Sequence, residues 1–96
     1  MMIFITSVFD KKGTRRTQII PDHKVDFIEQ LGCRITIAYR TGEMVSLGSE
    51  DYGASYAERQ DCITLNYPTE ALALKAIEDY YKACNSRAGA FSFFKR

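Results

Sequence analysis

The sequence predicts an α+β fold: an antiparallel sheet of about five or six strands, one short helix, and one long C-terminal helix packed on the sheet. Three stretches carry that expectation. In Cys33 to Leu47, Cys33, Ile35, Ile37 and Tyr39 alternate with Arg34, Thr36, Ala38 and Arg40, the period of a strand with one buried face. Met2 to Phe9 is almost continuously apolar and rich in β-formers. After Pro68-Thr69, Leu74, Ile77, Tyr81 and Cys84 recur by three and four, the period of an amphipathic helix.

Composition narrows the class. The chain has 96 residues, 46% of them hydrophobic and 26% charged, which suits a single domain over residues 1–96 with a modest core. A formal net charge of +1 argues against a surface that coats nucleic acid. Cys33, Cys62 and Cys84 are far apart and form no CxxC pair, so reduced thiols and a cytoplasmic location are expected rather than a disulfide framework. The N-terminal apolar run is too short to span a bilayer and lacks a basic n-region and a small-residue cleavage site. No membrane association, metal or cofactor is expected.

Taken in order, Met2 to Phe9 reads as a first strand buried on both faces, or covered by a partner on its outer face. Asp10-Lys11-Lys12-Gly13 is a tight turn, Thr14 to Ile20 the returning strand, and Pro21-Asp22 its stop, since proline has no N–H for a ladder. Lys24 to Gln30 fits either a short helix capped by Asp22 or a strand with Val25 and Phe27 facing in; the brevity of such a helix favours the strand. Cys33 to Leu47 is expected to fold as a central hairpin turning at Thr41-Gly42, because glycine takes positive φ freely. Gly48 to Asp51 is loop. Asp51 caps a short helix from Tyr52 to Gln60, weakened by Gly53. Cys62 to Tyr67 is another strand. Thr69 then caps the long helix, with Glu70 at its positive end. Ala73, Ala76, Tyr80 and Ala83 widen its apolar stripe, and Asn85 to Gly89 ends it. The tail brings Phe91, Phe93 and Phe94 close together, as a homo-oligomer interface or as a segment docked on the chain's own sheet.

No catalytic motif is visible. His23 is the single histidine, and the cysteines sit at positions that read as core, which leaves a Cys–His nucleophile without its geometry. The carboxylate pairs Glu50-Asp51 and Glu78-Asp79 read as solvated faces. Lys11, Lys12, Arg15 and Arg16 surround one glycine, either as an anion-binding arm or as an edge hairpin kept soluble by charge. On the expected short helix, Tyr52, Tyr56 and Arg59 share a face. Two aromatic rings and a guanidinium there would stack a base and hold a phosphate; otherwise Tyr56 packs in the core and the others are solvated. Asn66 and Arg87 are further polar candidates at element ends.

Two stretches, ITSVFDKKG near the start and DYGASYAER before the last strand, make the chain resemble small phage-encoded anti-defence proteins. Of these it is most similar to the anti-Thoeris sponges that sequester cyclic ADP-ribose signals. The resemblance covers about half the chain and carries over no binding residue. It implies an oligomer with nucleotide pockets at subunit contacts and no chemistry. The expected function is therefore non-enzymatic sequestration of a nucleotide-like small molecule, with Tyr52, Tyr56 and Arg59 first and Arg15, Arg16, Asn66 and Arg87 behind them. The alternative is a small inhibitor or adaptor that binds a larger host complex.

Overall fold

Six strands and one helix follow one another as β1 (Met2–Val8), β2 (Arg15–Pro21), β3 (Val25–Leu31), β4 (Arg34–Ser46), β5 (Tyr56–Asn66), α1 (Glu70–Asn85) and β6 (Ala90–Phe94). A computed structural model describes residues 1–8, 11–46 and 56–94. The fold is α+β as expected, but the strands form two sheets of three rather than one larger sheet: β2-β1-β6 and β3-β4-β5. The helix is also not the C-terminal element, because β6 follows it and pairs in parallel with β1.

Alternation explains both sheets. In the first, Ile3 and Ile5 of β1, Ile20 of β2 and Phe93 of β6 point to one side and are buried. In the second, Ile35 and Ile37 of β4 and Leu65 of β5 do the same. These side chains and Ala73 of α1 form one cluster, with Ile28, Ile63, Ile77, Tyr80 and Phe91 packed against it. The first strand is therefore not buried on both faces. Its outer positions stay partly open, and Met2 together with Ile19 of β2 is exposed.

The segment left open between helix and strand is a strand preceded by a single 3-10 turn, Asp22–Lys24. A register shift between Val25 and Phe27 reverses the alternation. Ile28 thus packs against the core while Phe27, expected to face in, is exposed. Gly32, at φ +59°, opens the two-residue turn into β4, where a glycine in first position matches the twist of the flanking strands.

The expected hairpin at Thr41-Gly42 does not form. Strand β4 runs through these residues, and its partner throughout is β5, from Arg34↔Asn66 to Ser46↔Tyr56. Gly42 takes φ +84°, but within a bulge, where the register slips between Arg40↔Gln60 and Met44↔Glu58. A bulge and a tight turn both ask for a residue at positive φ, so the glycine alone does not separate them. The short helix is also absent over its described part, since Tyr56 to Gln60 are strand. Phe9 and Asp10 of the first expected strand and turn, Leu47, the Gly48–Asp51 loop, Tyr52 and Gly53 lie outside the described residues.

Helix α1 starts as expected, with the Thr69 hydroxyl accepting the Leu72 N–H at 3.2 Å. It ends at Arg87, whose φ of 55° is the left-handed conformation usual after a helix. The Ala88 N–H reaches back to the Ala83 carbonyl and the Arg87 N–H to that of Cys84. Its buried stripe is not the one led by Leu74. Ala73, Ala76, Ile77, Tyr80 and Ala83 face the sheets, while Leu74, Tyr81 and Cys84 are exposed. Aromatic packing sets this rotation. The Tyr80 ring lies 5.5 Å from both Phe91 and Phe93, which are 4.8 Å apart, and the alanines let the backbone approach the sheet. The tail is thus docked on the chain's own sheet, with Phe93 buried and Phe91 partly buried against the core, while the Phe94 side chain lies outside the described residues.

Truncating Phe93 to alanine should cost roughly 3–5 kcal/mol, the usual loss for a buried phenylalanine. Leu74→Ala should cost about 0.5 kcal/mol or less. Urea titrations of the two variants check this, and equal losses would mean that the helix is rotated toward Leu74.

Candidate functional site

Residues three apart on a strand point to opposite faces, so β5 separates Tyr56 from Arg59. Tyr56 is 61% exposed. Arg59 binds Glu43 across the ribbon at 3.2 Å and lies 3.9 Å from Asp61. The expected stacking group is therefore not assembled by these two residues, and Tyr52 lies outside the described residues. Asn66 sits at the far end of the same strand, ten residues or about 33 Å from Tyr56 at strand rise, opposite Arg34. Arg15 and Arg16 are exposed at the start of β2, opposite Val8 and Ser7. Arg87 lines a cavity of about 300 Å³ with Met1, Asp22, Ala83, Cys84 and Ala88. These candidates occupy four separate parts of the molecule.

Strand pairing assembles a different group. Glu58 receives Lys24 Nζ at 3.1 Å and lies 3.9 Å from Arg40 Nη1. Arg40 reaches Asp26 at 3.3 Å and donates to the His23 carbonyl, and Gln60 donates to Asp26 at 2.6 Å. Above all, the Lys24 hydrogen bond holds the Glu58 carboxyl below its ordinary pKa. Partial desolvation opposes it, and the Lys24 charge, the Gly42 N–H and the Arg40 charge assist. The group ties the 3-10 turn and β3 to the bulge where β4 and β5 leave the three-stranded sheet. No local spacing announces it: Arg40 and Glu58 meet only through the β4–β5 register.

Beyond this knot β4 and β5 continue as a two-stranded ribbon, Met44–Ser46 against Tyr56–Glu58, with no third strand among the described residues. Met44 and Tyr56 are both exposed. With Met44 opposite Glu58 and Ser46 opposite Tyr56, they are diagonal neighbours on one face. The projection shows in the dimensions. The radius of gyration is 16.1 Å and the extents are 51 × 37 × 23 Å, against about 12 Å for a compact domain of this length.

A shallow cleft of about 370 Å³ opens between the sheets, lined by Ile19, Ile20, Pro21, Lys24, Tyr39, Arg40 and Thr41. Its two cations are already matched by Asp26 and Glu58. The cysteines, expected in the core, are free and exposed: Cys33 in a turn, Cys62 on β5, Cys84 on α1. Among the described residues no group of His, Cys, Asp and Glu is arranged to hold a metal, and no helix is long and apolar enough to cross a membrane. Burial pushes the Tyr80 hydroxyl up to about 12, with a smaller contribution from its hydrogen bond to Cys84. It also raises Tyr67, whose buried hydroxyl has no partner among the described residues. Both tyrosines therefore read as core residues.

No protein-family model, no curated protein and no solved structure matches this chain.

The depressed Glu58 carboxyl fixes a pH dependence. A group with a lowered folded pKa contributes stability above its unfolded value and loses it as pH falls through the folded one. Glu58→Gln should therefore be less stable than the parent at pH 7, and the gap should close below about pH 4. Denaturant midpoints across that range check the sign, and a gap that stays constant with pH would contradict it.

Proposed function

We propose that this chain is a non-catalytic binding module that engages a protein partner through the β4–β5 ribbon, in a reducing compartment such as the cytoplasm. One observation carries the reading. The ribbon leaves the sheet anchored at its base by the Lys24–Glu58–Arg40–Asp26 knot and presents Met44 and Tyr56 on one exposed face. Protein interfaces favour this combination of methionine, tyrosine and free main-chain edges. The three free, exposed thiols fit the compartment.

A second reading, sequestration of a nucleotide-like small molecule, rests on the resemblance to anti-defence sponges and on the cleft between the sheets. Tyr39 there would supply the ring contact, and Lys24 and Arg40 the phosphate contacts. Compensation of both cations by carboxylates weakens its pull on an anion, which is why the ribbon is preferred.

A photo-reactive residue placed at Met44 in cells that naturally make the protein should give a discrete protein adduct. The same residue at Leu31, exposed at the opposite end of the β3–β4–β5 sheet, should not. Adding Tyr56→Asp should remove the adduct at Met44 while circular dichroism stays unchanged. Equal labelling from both positions would overturn the ribbon reading. A nucleotide-sized mass retained in native mass spectrometry and lost in Tyr39→Ala would favour the second.

A further inference from the structure

The ladder itself shows which main-chain groups of β5 point away from β4. The Tyr67 N–H donates to the Cys33 carbonyl at 2.8 Å. Antiparallel pairs alternate, so Leu65, Ile63 and Asp61 also direct their main-chain groups at β4. Asn66, Thr64, Cys62 and Gln60 direct theirs outward, where no strand pairs with them among the described residues; the Cys62 N–H meanwhile donates to the adjacent Asp61 carboxylate at 3.0 Å, a local bond that pairing would exchange. The other sheet edges carry devices that discourage pairing. Strand β2 begins with Arg15 and Arg16 and ends in Pro21, β3 is bent by the shift between Val25 and Phe27, and β6 has five residues. Strand β5 is eleven residues long and contains no proline.

Among its registers one sets opposite charges against each other. A second copy added antiparallel is related by a two-fold axis perpendicular to the sheet, so the pairing is centred on a residue. Centring on Glu58, Arg59 or Asp61 sets like charges opposite each other. Centring on Cys62 sets Asp61 against Ile63 and Arg59 against the buried Leu65, and centring on Thr64 forms no ion pair and sets Gln60 against Pro68, which has no N–H for the ladder. Centring on Gln60 sets Arg59 against Asp61 of the second copy, twice, and Ala57 against Ile63. It also makes Gln60 a main-chain hydrogen-bonded pair with itself, as its outward N–H and C=O require.

We propose that two copies of this chain pair through their β5 edges, antiparallel and centred on Gln60, joining the two β3-β4-β5 sheets into one of six strands. This deepens the reading of β4–β5 as the interaction element and rests on it; the second copy occupies the edge and leaves the Met44 and Tyr56 face to the partner.

The test is a cross-link that only this register allows. In a background with Cys33→Ser, Cys62→Ser and Cys84→Ser, Gln60→Cys faces its own copy at about 5.5 Å between Cα atoms, within disulfide range. Mild oxidation should convert most of it to covalent dimer, and Asn66→Cys in the same background should stay monomeric. By sedimentation, Arg59→Glu should weaken the parent dimer at least tenfold, and adding Asp61→Arg should restore it, a rescue that separates pairing from misfolding. Cross-linking no better at position 60 than at 66, or a charge swap that restores nothing, overturns the proposal. A parent that remains monomeric yet still forms the Met44 adduct removes the dimer and keeps the ribbon. A register-specific dimer with no such adduct does the reverse.

Discussion

Neither sheet can cover its own apolar face, and that constraint organises the molecule. Three strands bury little by themselves, and each sheet presents a row of isoleucines to one side: Ile3, Ile5 and Ile20 in one, Ile35 and Ile37 in the other. The stable solution sets the two rows against a shared core and closes it with the alanine face of α1. Tyr80, Phe91 and Phe93 complete that closure. Their ring contacts fix the rotation of the helix and draw the last strand in beside β1.

This arrangement leaves β4 and β5 longer than the core needs. Beyond Arg40 and Gln60 they no longer lie over it, and two strands alone are marginal in water. The Lys24, Arg40, Asp26 and Glu58 side chains sit at this point of departure. Their ion pairs are partly exposed, so each stabilises only modestly. Their importance is positional: they hold the bulge against the 3-10 turn and give the ribbon a fixed root. The function proposed for the ribbon depends on that rigidity.

Much of the fold was legible locally. The antiparallel pairing of β1 with β2, the Thr69 cap and the strand before it follow from alternation, capping and proline. The failures share one physical origin. Thr41-Gly42 has the chemistry of a turn, but a bulge within a long strand asks for the same glycine. Only the pairing partner decides between them, and that partner lies in residues 56–66. The same non-local register turned Tyr56 to Gln60 from helix to strand and so dissolved the Tyr56–Arg59 group. On α1 two adjoining apolar stripes were visible; the choice between Leu74 and Ala73 rested on the aromatic tail, which sequence pattern left open between interface and core. The knot around Glu58 had no signal in the sequence at all, because its members come from four elements: the 3-10 turn, β3, β4 and β5.

The pairing of β4 with β5, with the far edge of β5 open, is the claim on which the ribbon and its proposed role stand. Amide hydrogen exchange by NMR at concentrations where the protein is monomeric tests it most directly. The account predicts alternating protection along β5, slow at Asp61, Ile63 and Leu65 and fast at Gln60 and Thr64, with cross-strand contacts from Met44 to Glu58. Uniform protection of both sets, or contacts from Met44 back to Tyr39 across a turn at Thr41-Gly42, would contradict it.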